Sequence, residues 1–150
     1  MITPEYCRLM ARYNAWQNRQ LTKALEGVPL DVLKADRGAF FGSILGTLNH
    51  ILWGDMMWLS RFGVKMDVPE GGISGSPDLC PTLGVWSAER FTMDGRISQW
   101  ADEVSAVQLA GEMEFNSAIM GRVKRPVAPC VVHMFNHQTH HRGQVHAMMT

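Results

Sequence analysis

The stretch SILGTLNHILWGDMMWLSRFG, residues 43 to 63, is apolar on most sides of a helix. At 3.6 residues per turn, one stripe runs Ile44, Thr47, Leu48, Ile51, Asp55, Trp58, Leu59, and a second runs Gly46, His50, Trp53, Gly54, Met57. A helix with so little polar surface must be buried on most sides. Ser43 supplies an N-cap and Gly63 a stop, so the helix is expected over residues 43 to 62. His50 then sits inside, with small Gly46 and Gly54 one turn either side. That leaves room for a side chain, a ligand or another helix. Asp55 reads as a surface or capping acid of the same helix.

Three further helices follow from the same periodicity. Pro4 suits a first turn, and Tyr6, Leu9, Met10, Tyr13, Trp16, Leu21 and Leu25 recur mostly at steps of three and four, up to a stop at Gly27 and Pro29. This predicts a helix over 4 to 26, within which Asn14 and Asn18 face either solvent or another helix. A third is expected over 84 to 104, with Trp86, Phe91, Ile97 and Trp100 as core residues, and a last over 129 to 149, opened by Pro129. Residues 30 to 34 suit a short helical turn. Residues 63 to 83, dominated by Pro and Gly, read as a long loop. MEFNSAIMGRVKRPV, within 106 to 128, carries strand-like pieces around a Gly turn and predicts a small hairpin. Nothing suggests a second domain, so residues 1 to 150 are read as one.

The totals exclude several classes. Fourteen basic and fourteen acidic residues cancel, so there is no electrostatic reason to expect nucleic acid or an anionic membrane as partner. No run approaches the roughly 18 apolar residues of a membrane span. Glu5, Arg8 and Arg12 stand where a signal peptide would need its apolar core, so a soluble cytoplasmic protein is expected. Cys7, Cys80 and Cys130 are odd in number and without CxxC pairing, as ordinary free thiols would be.

Five of the six histidines lie in HMFNHQTHHRGQVH, residues 133 to 146. On a helix His137 and His141, four apart, share one face, and two imidazoles so placed can share a metal ion. His133 and His137 have the same spacing. Two ligands bind weakly, whereas three neutral imidazoles with an open position make a catalytic type of site, and buried His50 is the natural third. His133 and His140 lie near the ligand face, His146 points elsewhere, and Arg142 and Gln144 read as supporting groups rather than catalysts.

YNAWQNRQL, ILGTLNHILWGDMMWL and FNHQTHHRGQVH together resemble the DinB-like family, damage-inducible metalloenzymes related to bacterial thiol-dependent transferases. The resemblance covers nearly the whole chain. It implies an all-α four-helix bundle of up-down-down-up course, with the 63 to 83 segment as crossover. It also implies a divalent metal on His50, His137 and His141, which favours His137 with His141 over His133 with His137. The chain stops at Thr150, so a C-terminal tail of the family kind is expected to be missing or very short.

Enzymes among such relatives include thiol S-transferases and a mycothiol-dependent isomerase. The expected function is therefore metal-activated transfer or addition of a low-molecular-weight thiol, or hydrolysis, acting on a small molecule. The alternative is a metal-containing stress or binding protein without catalysis. Zinc or nickel is the expected ion, with iron or copper also suited to imidazole. A homodimer is expected, as family members often pair.

Overall fold

A computed structural model describes residues 1–150. Four long helices carry the fold: α1 (Pro4–Leu25), α3 (Ile44–Arg61), α5 (Leu83–Glu103) and α7 (Val127–Met149). Three short ones join them: α2 (Leu30–Lys34), α4 (Gly72–Gly75) and α6 (Ala106–Ala110). Helix α3 packs against α7 and α5, and α1 packs against α5 and α7. No helix is long and apolar enough to cross a membrane.

The caps are those the sequence supplies. The side chain of Thr3 accepts from the Tyr6 amide ahead of Pro4, and Ser43 accepts from the Gly46 amide. In α3 every residue is buried except Met56, Met57, Ser60 and Arg61, as its lack of a polar face requires. The inner stripe of α1 differs from the expected one. It is Cys7, Ala11, Asn14, Asn18, Leu21 and Leu25, while Leu9, Tyr13 and Trp16 are exposed. Two asparagines displace the aromatics inward because they have partners across the core. Phe91, expected in the core, is 77% exposed; the inward face of α5 is Trp86, Arg90, Met93, Ile97 and Trp100.

The hairpin before the last helix is present: β1 (Glu112–Ser117) pairs antiparallel with β2 (Gly121–Pro126), from Glu112 opposite Pro126 to Ser117 opposite Gly121. Its inner edge places Phe115 against Trp58 of α3 at 5.7 Å between ring centroids. The segment 63 to 83, expected as plain loop, contains α4 and a 3₁₀ turn at Ser76–Asp78 that packs on α3. Asn49 of α3 anchors it by donating to the carbonyls of Pro77 (2.7 Å) and Cys80 (3.0 Å). All three cysteines are free and buried, and burial pushes the thiols of Cys7 and Cys80 up to about 11, which leaves them protonated at neutral pH.

A polar network runs through the core and ties the four long helices together. The carboxylate of Asp55 is fully buried, which corrects its reading as a surface acid. It pairs with Arg90 Nη1 of α5 at 2.7 Å and accepts from Gln138 Nε2 of α7 at 2.8 Å. Arg90 Nη2 reaches Asp94 at 2.8 Å, and Asp94 accepts from Asn18 of α1. Arg142 of α7 donates to Asn14 Oδ1 of α1. Burial drives the Asp55 carboxyl up, while Arg90 and Gln138 oppose it. The guanidinium and the amide are therefore what hold a charge in this interior.

Candidate metal centre

His50 from α3 and His137 and His141 from α7 converge, one ligand nitrogen from each lying within 4.8 Å of the others. The ring centroids of His50 stand 4.9 Å from His137 and 4.8 Å from His141, and those of His137 and His141 are 4.5 Å apart. His50 Nε2 and His137 Nε2 are 3.0 Å apart. Two nitrogens on one tetrahedral zinc, each at about 2.0–2.1 Å, stand about 3.3 Å apart, so this pair needs little adjustment to share an ion.

The helices meet this closely because of glycine. A β-carbon at Gly54 would lie 2.7 Å from His137 Cε1, so only a residue without a side chain lets that imidazole stand against α3. At Gly46 a β-carbon would meet the Phe41 carbonyl oxygen at 2.5 Å. The room that the two glycines leave beside His50 is thus taken by a histidine on one side and by the turn before α3 on the other.

Hydrogen bonds outside the cluster set the tautomers. Ser76 Oγ donates to the Ile73 carbonyl at 2.7 Å, so it accepts from His50 Nδ1 at 2.9 Å. Gln144 Oε1 accepts from His141 Nδ1 at 2.7 Å. Both rings carry their proton on Nδ1 and turn an Nε2 lone pair inward, as a metal-ligating histidine with an outer acceptor does. His137 Nδ1 is buried without a partner.

All three rings are held neutral. Burial, then the charge of His141, lowers His50 to about 4. Burial, then the surrounding histidines, lowers His137 to about 3. Burial also lowers His141, against the Gln144 hydrogen bond. Neutral imidazoles, fixed tautomers and an unpartnered buried nitrogen make a donor set that fits a divalent metal ion.

A pH effect follows for the metal-free protein. An unfolded histidine titrates near 6.5, so below that pH the unfolded chain takes up protons that folded His50 and His137 refuse until about pH 4 and about pH 3. Their contribution to stability is complete above about pH 6.5 and is lost as pH falls from there through about 4 for His50 and about 3 for His137. Thermal melts of the metal-free protein are expected to show a lower Tm at pH 5 than at pH 7. The drop should be smaller in His137→Leu; an equal drop in both would show that these rings do not carry it.

The remaining sequence candidates divide. Gln144 supports His141 directly. His140 meets His141 edge-on at 4.8 Å, and His133 lies between Trp58 (5.3 Å) and His137 (6.0 Å); both are exposed and outside the converging set. Arg142 does not face the histidines. It donates to Asn14 in the core network, which is a structural part and not a catalytic one. His146 lines a groove with Tyr13 and Gln17, away from the cluster.

Sequence reasoning did not find Ser76 or Phe41, and it placed Trp53 on the His50 stripe without giving it a part in the site. Ser76 lies in the Gly- and Pro-rich segment with no pattern to mark it. Phe41 stacks on His50 at 3.7 Å between centroids and meets His141 edge-on at 5.4 Å, and Trp53 stacks on His50 at 5.9 Å. The one available signal for Phe41 is its place just before the Ser43 cap.

The profile of the DinB family matches residues 1–150. Protein DinB of Bacillus subtilis (strain 168) is 23% identical over 146 residues, which cover 91% of this chain and 80% of that protein. No solved structure matches the chain.

Proposed function

The chain belongs to the DinB family, and on that premise we propose that it is a metal-dependent enzyme whose His50, His137 and His141 hold one divalent ion, zinc or nickel, with a position left for a small thiol or for water. The observation that carries this reading is the convergence of three neutral imidazoles within 4.8 Å, two of them fixed with Nε2 inward. When bound there, a divalent ion lowers the pKa of a thiol or water at its open position, which makes a nucleophile at neutral pH. The protein's part is to hold the nitrogens and keep bulk water out. Ser76 and Gln144 fix the ring protons, Asp55 and Gln138 join α3 to α7 one residue from Gly54 and His137, and Phe41 and Trp53 supply apolar walls.

The packing of α1, α3, α5 and α7 around a shared polar core supports a four-helix bundle of up-down-down-up course, in one domain over residues 1 to 150. The exposed Leu9, Tyr13 and Trp16 on α1 support a homodimer.

Cobalt(II)-loaded protein, titrated with small thiols and then given electrophilic substrates, tests the function. A sulfur-to-cobalt charge-transfer band, with thiol consumption that disappears in His50→Ala, is expected. The absence of both the band and the consumption with every thiol tried would favour a metal-containing stress or binding protein without catalysis.

A further inference from the structure

We propose that Phe41 is the gate of the three-histidine site, the side chain that decides how fast and how large a group can reach it. This rests on reading those histidines as a metal centre.

The ring of Phe41 lies nearly parallel to His50, at 18° and 3.7 Å, and presents itself edge-on to His141 at 5.4 Å. It thus spans one ligand of α3 and one of α7. The other neighbours of His50 are fixed in place. Ser76 is 2% exposed and bonded to Ile73, Trp53 is 7% exposed within α3, and His137 is pressed against Gly54. Phe41 is only half-buried, and it stands on a turn rather than on a helix.

That turn is bonded largely to itself. Gly38 and Gly42 bracket it with φ of 68° and 76°, a region that other residues avoid. Gly42 N–H donates to the Ala39 carbonyl at 2.8 Å, and Arg37 N–H donates to the Gly42 carbonyl at 2.7 Å. These bonds close the turn on itself. To the body it is joined by its backbone and by Arg37: the Phe41 carbonyl sits over Gly46 and accepts from the Ser43 N–H at 2.9 Å, and Arg37 Nη2 donates to the Val32 carbonyl at 3.4 Å, whereas the Phe41 side chain is held by the aromatic stack. Phe40 beside it is 83% exposed and makes its one aromatic contact with Phe41, edge-on at 4.9 Å. A cavity of about 230 Å³, lined by Lys34, Asp36, Phe41, Gly46 and Pro77 among others, adjoins the ring and gives it space to swing into. Loops with few buried contacts open locally at low cost, on microsecond to millisecond timescales, and such motion commonly controls entry to a site.

A chelator measurement tests the gate without depending on turnover. Tag-free wild type, Phe41→Ala, Phe41→Leu and Phe40→Ala are loaded with zinc. Its removal by excess dipicolinate is then followed by stopped flow, with circular dichroism melts to establish that each variant is folded. Extraction from Phe41→Ala is expected to be at least about tenfold faster than from wild type, with Phe41→Leu between the two. Phe40→Ala should match wild type, and equilibrium zinc affinity should stay within about threefold, since a gate changes entry and exit together. Equal rates in wild type and Phe41→Ala, both fully loaded, would overturn the gate and leave the metal centre standing. So would acceleration by His133→Ala or His140→Ala instead, because access would then run along α7. A protein that takes up no zinc in any of these forms would overturn the metal reading, and the gate with it.

Discussion

Asp55→Ala is expected to lower the stability of the protein more than any single change on its surface. The carboxylate is fully buried and bridges Arg90 of α5 and Gln138 of α7, at 2.7 Å and 2.8 Å. Its removal leaves a guanidinium that is 2% exposed with one carboxylate instead of two, and strands the amide of Gln138. Breaking a buried pair by deleting one partner costs about 3–5 kcal/mol. In a domain of this size that corresponds to a fall in Tm of about 10 °C or more. Asp55→Leu combined with Arg90→Met removes both charges and should recover much of the loss, because an apolar pair avoids the desolvation of two ions. Calorimetric melts of the three proteins decide the matter. A shift of less than about 3 °C in Asp55→Ala would show that the network does not hold the helices together.

This network is also where sequence reading stopped. Asp55, Arg90, Asn18 and Gln138 find partners 35 to 83 positions away, and nothing local marks an acid or an amide whose partner lies on another helix. Periodicity ranks residues by apolarity, so it sent Tyr13 and Trp16 inward on α1 and left Asn14 and Asn18 undecided. The structure does the reverse, because a buried amide is stable only against a partner, and Arg142 and Asp94 provide one each. Phe91 failed for a related reason: the inward face of α5 is set by Arg90 and Asp94 as much as by its aromatics.

Legibility was better where one segment holds its own signal. The run from Ile44 to Leu59 has too few polar positions to face solvent, and α3 is buried as that demands. The hairpin was visible because its strands lie side by side in sequence around Gly121. The histidines were visible through spacing: four residues on a helix place His137 and His141 on one face. Spacing did not separate that pair from His133 and His137. The fold brings His50 to the first pair and leaves His133 on the edge of Trp58. Ser76 and Phe41 approach the site from connecting segments, where position depends on tertiary packing rather than on a period.

The central claim is that one divalent ion is held jointly by α3 and α7, and its largest consequence is the loss of that ion when either helix gives up its ligand. Removing His50 leaves two imidazoles four residues apart on α7, and a two-ligand site holds zinc or nickel weakly. The helices should persist, since the core around them is apolar and the Asp55 network is untouched. The measurement is metal content per chain by elemental analysis, on protein purified without a histidine tag. Wild type and His146→Ala are expected to carry about one ion per chain, and His50→Ala, His137→Ala and His141→Ala less than about a tenth of that. Full metal retention in His50→Ala would contradict the account, because the ion would then be held by α7 alone.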